Sequence, residues 1–186
     1  ATPQPTPPLP LLVVDDPVTK LQDLARVRRD ALPDMLVVGI TGSVGKTSTK
    51  EIVASVVSRR FRTFKKPGNL NSEIGLPLAM LEVPPDTQVG VFEMAGAWVM
   101  GELGLIADIA KPKIGVVTNV HPVHLERMGT IERIAQSKAE LVEALPEDGV
   151  AILNGDDPLV RAMASKARGR VLTYGLERRN DISVSG

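Results

Sequence analysis

Residues 41–52 read TGSVGKTSTKEI, and the Gly-Lys-Thr run inside them is suited to holding a phosphate chain. That task needs backbone that can come close to an anion, free N–H groups, a cation, and a hydroxyl for a divalent metal. Gly42 and Gly45 allow the close approach, Lys46 would reach β and γ phosphates, and the Thr47 hydroxyl would bind Mg2+. The binding stretch is then Gly42, Ser43, Val44, Gly45, Lys46, Thr47 and Ser48. The usual spacing G-x-x-x-x-G-K-[ST] puts a glycine at position 40, where this chain has Ile40. The alternative is an ordinary glycine-rich turn with a surface lysine.

Further along, single residues stand where their chemistry is conspicuous. Glu93 ends an apolar run, so its carboxylate either meets a cation such as Mg2+ or emerges into solvent. His124 follows the next apolar run and should share that edge of a sheet, as a metal ligand or a structural histidine; His121 is the weaker candidate. Ile131, Ile134, Lys138, Leu141 and Leu145 follow one helical stripe with a lysine in its middle. Such a lysine must snorkel outward, pair with an acid, or change its charge. Asn69 and Asn71 sit in a Gly-Asn loop and are either ligand contacts or turn formers. Thr118, Asn119 and Asn154 lie at strand ends, and Asp157 is expected to cap a helix that begins at Pro158.

These residues need a scaffold, and the sequence indicates one. Residues 35–40, 89–94, 114–119, 149–154 and 170–174 are short, continuous apolar runs, the pattern of strands buried on both faces of a largely parallel sheet. Helices are expected over 17–32, 46–60, roughly 101–110, 130–145 and 158–167. A further short strand is expected at LLVV, residues 11–14, and residues 1–10, with five prolines, read as an extended lead-in. The architecture is therefore α/β and three-layered, with ligands at the carboxyl ends of the strands. With 186 residues, 43% of them hydrophobic, one globular domain is the expectation, with room for a small appendage. Lys plus Arg and Asp plus Glu are 22 each, so no net field argues for nucleic acid or an acidic membrane as partner. The chain has no cysteine, which removes disulfides and thiolate chemistry and suits a reducing cytosol. No apolar run is long enough to span a bilayer and no targeting segment is visible, so the expectation is a soluble, cytoplasmic protein.

The loop ITGSVGKTSTKE resembles the shortened phosphate loop of the Mur ligases, ATP-dependent amide ligases of cell-wall synthesis, in which the first glycine is commonly missing. PGNLNSEIGLPL (67–78), FEM (92–94), VTNVHPVHLERMG (117–129), SKAEL (137–141) and LNGDD (153–157) follow in the order of that family, and the likeness runs from about residue 11 to about 174. The segment 67–78 favours the branch that joins D-alanyl-D-alanine to a UDP-muramoyl-tripeptide; other branches, cyanophycin- or folylpolyglutamate-type relatives and a non-ligating nucleotide-binding module are the alternatives. The resemblance implies ATP and Mg2+, with Thr47, Glu93, His124 and Lys138 about the metal and catalytic parts for Lys46, Lys138 and His124. It implies that Lys138 is carbamylated by carbon dioxide, and that Asn69 and Asn71 contact the muramoyl-peptide. A cytoplasmic monomer is the expectation, and the resemblance implies a division at residue 34, with 1–34 as lead-in and tail of an N-terminal substrate domain. Residues 35–186 would then be the ATP-binding central domain, incomplete at its C-terminal end. Two departures are visible: residues 93–103 run about one residue longer than usual, and His121 stands where a small residue is common.

Overall fold

The computed structural model describes residues 12–66, 68, 70–96, 99–123 and 125–183. Seven strands form one sheet: β1 (Leu36–Thr41), β2 (Thr63–Lys65), β3 (Val89–Glu93), β4 (Ile114–Val117), β5 (Val150–Asn154), β6 (Arg170–Gly175) and β7 (Ile182–Ser183). Their order is β2-β3-β1-β4-β5-β6-β7, and every neighbouring pair is parallel. The helices are α1 (Pro17–Asp30), α2 (Lys46–Val57), α3 (Gly75–Leu81), α4 (Glu102–Ala110), α5 (Leu125–Met128), α6 (Ile131–Glu143) and α7 (Pro158–Ala162), the last followed by a 3-10 turn, Met163–Lys166.

The apolar runs become strands because both faces of the sheet are covered. Along β1, Val38 and Ile40 pack with Val89, Val91, Val116 and with Ala54 of α2 on one face. Val37 points the other way, into a core shared with Phe92, Met94 and residues of α1, α3, α4 and α6. Further along that second face, Ala151 and Leu153 pack with Val142, Leu145, Val160 and Met163. The three layers are thus α2, the sheet, and the remaining large helices. At the bottom of β1 the Arg29 guanidinium is buried and spends its donors on the carbonyls of Ala110, Leu32 and Met35, tying α1 to the start of the strand.

The chain leaves β1 toward β2 on one side and leaves β4 toward β5 on the other, so adjacent strands β1 and β4 form the switch point. A crevice opens there at the carboxyl ends of the strands. Both strands deliver their exit loops to it.

The expected strand at 11–14 does not form over its described part: residues 12–14 have no strand partner, and Leu12 and Val13 are 76% and 83% exposed. Instead, Asp16 accepts from the Val18 and Thr19 N–H groups and starts α1 directly. Sequence patterning also passed over β2, β7, α3 and α5, and the helix expected over 158–167 divides into α7 and the 3-10 turn. Among the described residues no helix is long and apolar enough to cross a membrane.

Candidate active site

β1 feeds directly into the loop at residues 42–45. Ile40, which stands in the place of the usual first glycine, is an interior strand residue, fully buried and paired with Glu93 of β3. The turn therefore begins two residues later, at Gly42. Here φ is +146° and a Cβ would stand 1.9 Å from Thr118 Oγ1, so only glycine fits. Gly45, at φ +82°, caps α2 with no side-chain bond, and the first-turn N–H groups of that helix face the loop as an anion site.

β4 holds the loop in shape. Asn119 Oδ1 accepts from the Val44 N–H at 2.9 Å, its Nδ2 donates to the Val44 carbonyl at 3.1 Å, and its own carbonyl accepts from the Ser43 N–H at 3.0 Å. Thr118 Oγ1 donates to the Val44 carbonyl at 2.9 Å, and the His121 N–H donates to Ser43 Oγ at 2.8 Å. His121 thus meets the loop through its backbone. The amides of Ser43 and Val44 are both committed to Asn119 and so are not free to meet a ligand.

Lys46 Nζ donates to the Gly42 and Ser43 carbonyls at 2.9 and 3.2 Å, lying across its own loop. Burial pushes its ammonium pKa down, and the Glu93 carboxylate pulls the other way. Residues 43–48 and Glu93 line a cavity of about 350 Å³. Larger spaces of about 570 and 600 Å³ lie at the opposite end of β1, around Met35 and Leu36. The first borders Arg29, each of whose three guanidinium nitrogens already donates to a backbone carbonyl. Size alone does not make those a reaction site; the convergent polar groups are at the loop.

Glu93 is the meeting point of three elements. It is 6% exposed, Thr47 Oγ1 donates to its Oε2 at 2.7 Å, and Asn71 Nδ2 donates to its Oε1 at 2.7 Å. The Asn71 carbonyl in turn accepts from the Ala95 N–H at 2.9 Å. Thr47 and Glu93 together are two hard oxygen donors beside the phosphate cavity, which fits Mg2+, an ion that takes one or two protein oxygens and fills its octahedron with phosphate and water. Among the described residues no group of three or more His, Cys, Asp or Glu side chains could hold a metal, so the fit is to this phosphate-assisted kind of site.

Lys138 is buried to 3% on α6, as the stripe pattern predicts. Its Nζ donates to the Gly96 carbonyl at 2.5 Å, and Ser137 Oγ donates to the same oxygen at 2.9 Å. Burial, aided by repulsion from the Lys46 ammonium, brings its pKa down to about 8 against the opposing pull of Glu102 and Glu140. One residue before the loop, Thr41 Oγ1 is buried with no hydrogen-bond partner among the described residues. Asp157 caps α7 as expected, accepting from the Leu159 and Val160 N–H groups, and its second oxygen accepts from the Val120 N–H at 2.8 Å. Asn154 Nδ2 donates to the Thr118 carbonyl at 2.8 Å. Asn69, His124 and the proline-rich start lie outside the described residues. The structure therefore joins Thr47 and Asn71 to Glu93 by hydrogen bonds, places Lys46 in the lining of the same cavity as Thr47 and Glu93, and relates Lys138 to them through its electrostatic coupling to Lys46. Sequence reasoning passed over Asn119 as the loop's clamp; a polar residue just past the strand beside the switch point was the available signal.

The chain matches the Mur ligase middle domain over residues 40–185. It is 39% identical over 174 residues to the UDP-N-acetylmuramoyl-tripeptide--D-alanyl-D-alanine ligase of Bacillus subtilis, covering 94% of this chain and 37% of that protein. The enzyme of the same name from Escherichia coli is 38% identical over 149 residues, covering 80% of this chain and 32% of its own length. Among solved structures, the MurF ligase of Thermotoga maritima in complex with ADP superposes with a TM-score of 0.82 at 37% identity, over 89% of this chain and 38% of that one. This chain thus spans about a third of the length of these relatives.

Proposed function

The chain belongs to the Mur ligase family, and on that footing we propose that it is the nucleotide-binding part of an ATP-dependent ligase joining D-alanyl-D-alanine to a UDP-muramoyl-tripeptide. The observation that carries this reading is the double grip on Glu93: one oxygen faces the phosphate-loop hydroxyl of Thr47 and the other faces Asn71 of the Gly-Asn segment. A nucleotide site and a candidate acceptor site therefore meet on one carboxylate. The relatives' shared name supplies the substrates. The domain reading proposed with it assigns residues 1–34 to the lead-in and the tail of a substrate domain, and 35–186 to the ATP-binding domain. The setting proposed is the cytoplasm, with the protein a monomer.

In this reaction a substrate carboxylate is activated by ATP as an acyl phosphate, and an amine displaces phosphate to form the amide. Mg2+, when bound, neutralises phosphate charge. Thr47 and Glu93 would hold it, with His124 and carbamylated Lys138 completing the set implied by the family. Lys46 must swing from the Gly42 and Ser43 carbonyls to the phosphates, where it offsets the charge that develops on transfer. The N–H groups at the start of α2 orient the phosphate chain, and Asn71 fixes the acceptor relative to Glu93. For Lys138 the proposal is carbamylation. Its surroundings disfavour the ammonium, so a larger share is the neutral amine that captures carbon dioxide, and the product is an anion where Lys46 now repels a cation.

The test is phosphate release by the natural full-length protein with UDP-muramoyl-tripeptide and ATP. Release that depends on D-alanyl-D-alanine is expected. Release driven instead by a single amino acid, or by a folate acceptor with glutamate, would move the protein to another branch.

A further inference from the structure

Lys50 is 2% exposed, yet none of the roles above uses it. It lies one turn after Lys46 on α2. A buried ammonium survives only where hydrogen bonds replace its water. Here Nζ donates at 2.9 Å to the carbonyl of Lys66 and at 2.9 Å to that of Gly68, with Glu51 Oε1 at 3.4 Å. Both carbonyls belong to the segment between β2 and α3, and Asn71 of that segment reaches Glu93. The space enclosed by Lys50, Gly68, Leu70, Phe92 and Glu93 is about 10 Å³, no more than a single water needs. No phosphate or carboxylate ligand can enter it. This ammonium is directed at backbone.

We propose that Lys50 is a positioning residue that fixes the backbone of Lys66 and Gly68 against the phosphate-loop helix, so that Asn71 and Thr47 reach Glu93 in one register. Thr47 and Lys50 are three residues apart on the same helix and share a face. One rigid element thus sets the hydroxyl on the nucleotide side and the backbone on the acceptor side. The inference rests on the ligase reading for its substrate but not for its geometry.

Lys50→Met keeps the stem and removes the ammonium, leaving two carbonyls without their donor. In the natural full-length protein, amide exchange at residues 68 and 70–74 should quicken about tenfold, the worth of one charge-assisted hydrogen bond. Exchange in α2 should stay unchanged. The KM for the muramoyl-tripeptide should rise by about tenfold, while ATP affinity measured by calorimetry holds within about twofold. Lys50→Gln, which keeps a neutral donor on a stem one atom shorter, should fall between on both readouts and serves if the Met variant does not fold. A wild-type protein without ligase activity would sink the ligase assignment, and the exchange data would then decide on Lys50 alone. Unchanged exchange in the segment, or ATP affinity falling in step with the acceptor KM, overturns the proposal.

Discussion

Glu93 and Lys138 show how much of the site depends on the charge of single buried groups. Glu93→Gln keeps the size of the side chain and one acceptor oxygen but removes the negative charge and the second hard oxygen. Mg2+-dependent ATP affinity should fall by roughly 10–100-fold, while binding measured in EDTA changes little; equal losses with and without Mg2+ would remove Glu93 from the metal's surroundings. Lys138 has a folded-state pKa near 8, below the ~10.4 of a lysine in an unfolded chain. Between these values the unfolded state binds more protons, so in CO2-free buffer this residue makes stability rise with pH across that window, and its full penalty is present below about pH 8. Denaturant midpoints of wild type and Lys138→Met should therefore converge as pH rises through the window; parallel midpoints would contradict the shift. For the proposed carbamate, Lys138→Glu should keep more ligase activity than Lys138→Arg, and formate or acetate should partly restore Lys138→Ala. An active Lys138→Arg would mean that the residue works as a cation.

At the scale of elements, the loop between β1 and α2 is shaped by its neighbour β4 as much as by its own sequence. Gly42→Ala would drive a Cβ into Thr118 Oγ1 and strain a backbone at φ +146°. It should abolish nucleotide binding and cost about 1–3 kcal/mol of stability, read from the shift in denaturant midpoint. A fully active, equally stable Gly42→Ala would show that Thr118 does not confine the loop. Strands covered on both faces were legible because burial forces continuous apolar runs, and the lysine stripe of α6 was legible because a single cation interrupts an apolar period. β2 was not: it has three residues, Thr63 and Phe64 only half-buried and Lys65 exposed, and so no apolar run. α3 was hidden by Gly75 and Pro77, but Pro77 sits in its first turn, where no intrahelical donor is needed. The strand expected at 11–14 failed because an apolar run makes a strand only when a neighbour offers hydrogen bonds. Lys50 reads in sequence as one more surface lysine, since its burial depends on a segment sixteen to eighteen residues away that folds over it.

The whole molecule is one sheet whose switch point places a phosphate loop, a bridging carboxylate and a coupled buried lysine at the same edge. On the proposed reading that covers a nucleotide site and the border of an acceptor site, in a chain whose match spans 37% of its Bacillus subtilis relative. In the proposed reaction, closure over the acyl phosphate to exclude water would fall to parts of the relatives that this chain does not match. The 186-residue chain alone should therefore bind ATP without ligating, and D-alanyl-D-alanine-dependent phosphate release from it would show that these residues suffice. ATP binding is consequently the measurement that bears most directly on the account. Calorimetry with ATP and Mg2+ on the wild-type chain and on Lys46→Ala should show binding in the first and a loss of about 2–3 kcal/mol, roughly 30–150-fold, in the second. Equal affinity in the two would mean that the 42–48 loop does not hold the phosphates, and the assignment built on it would fall.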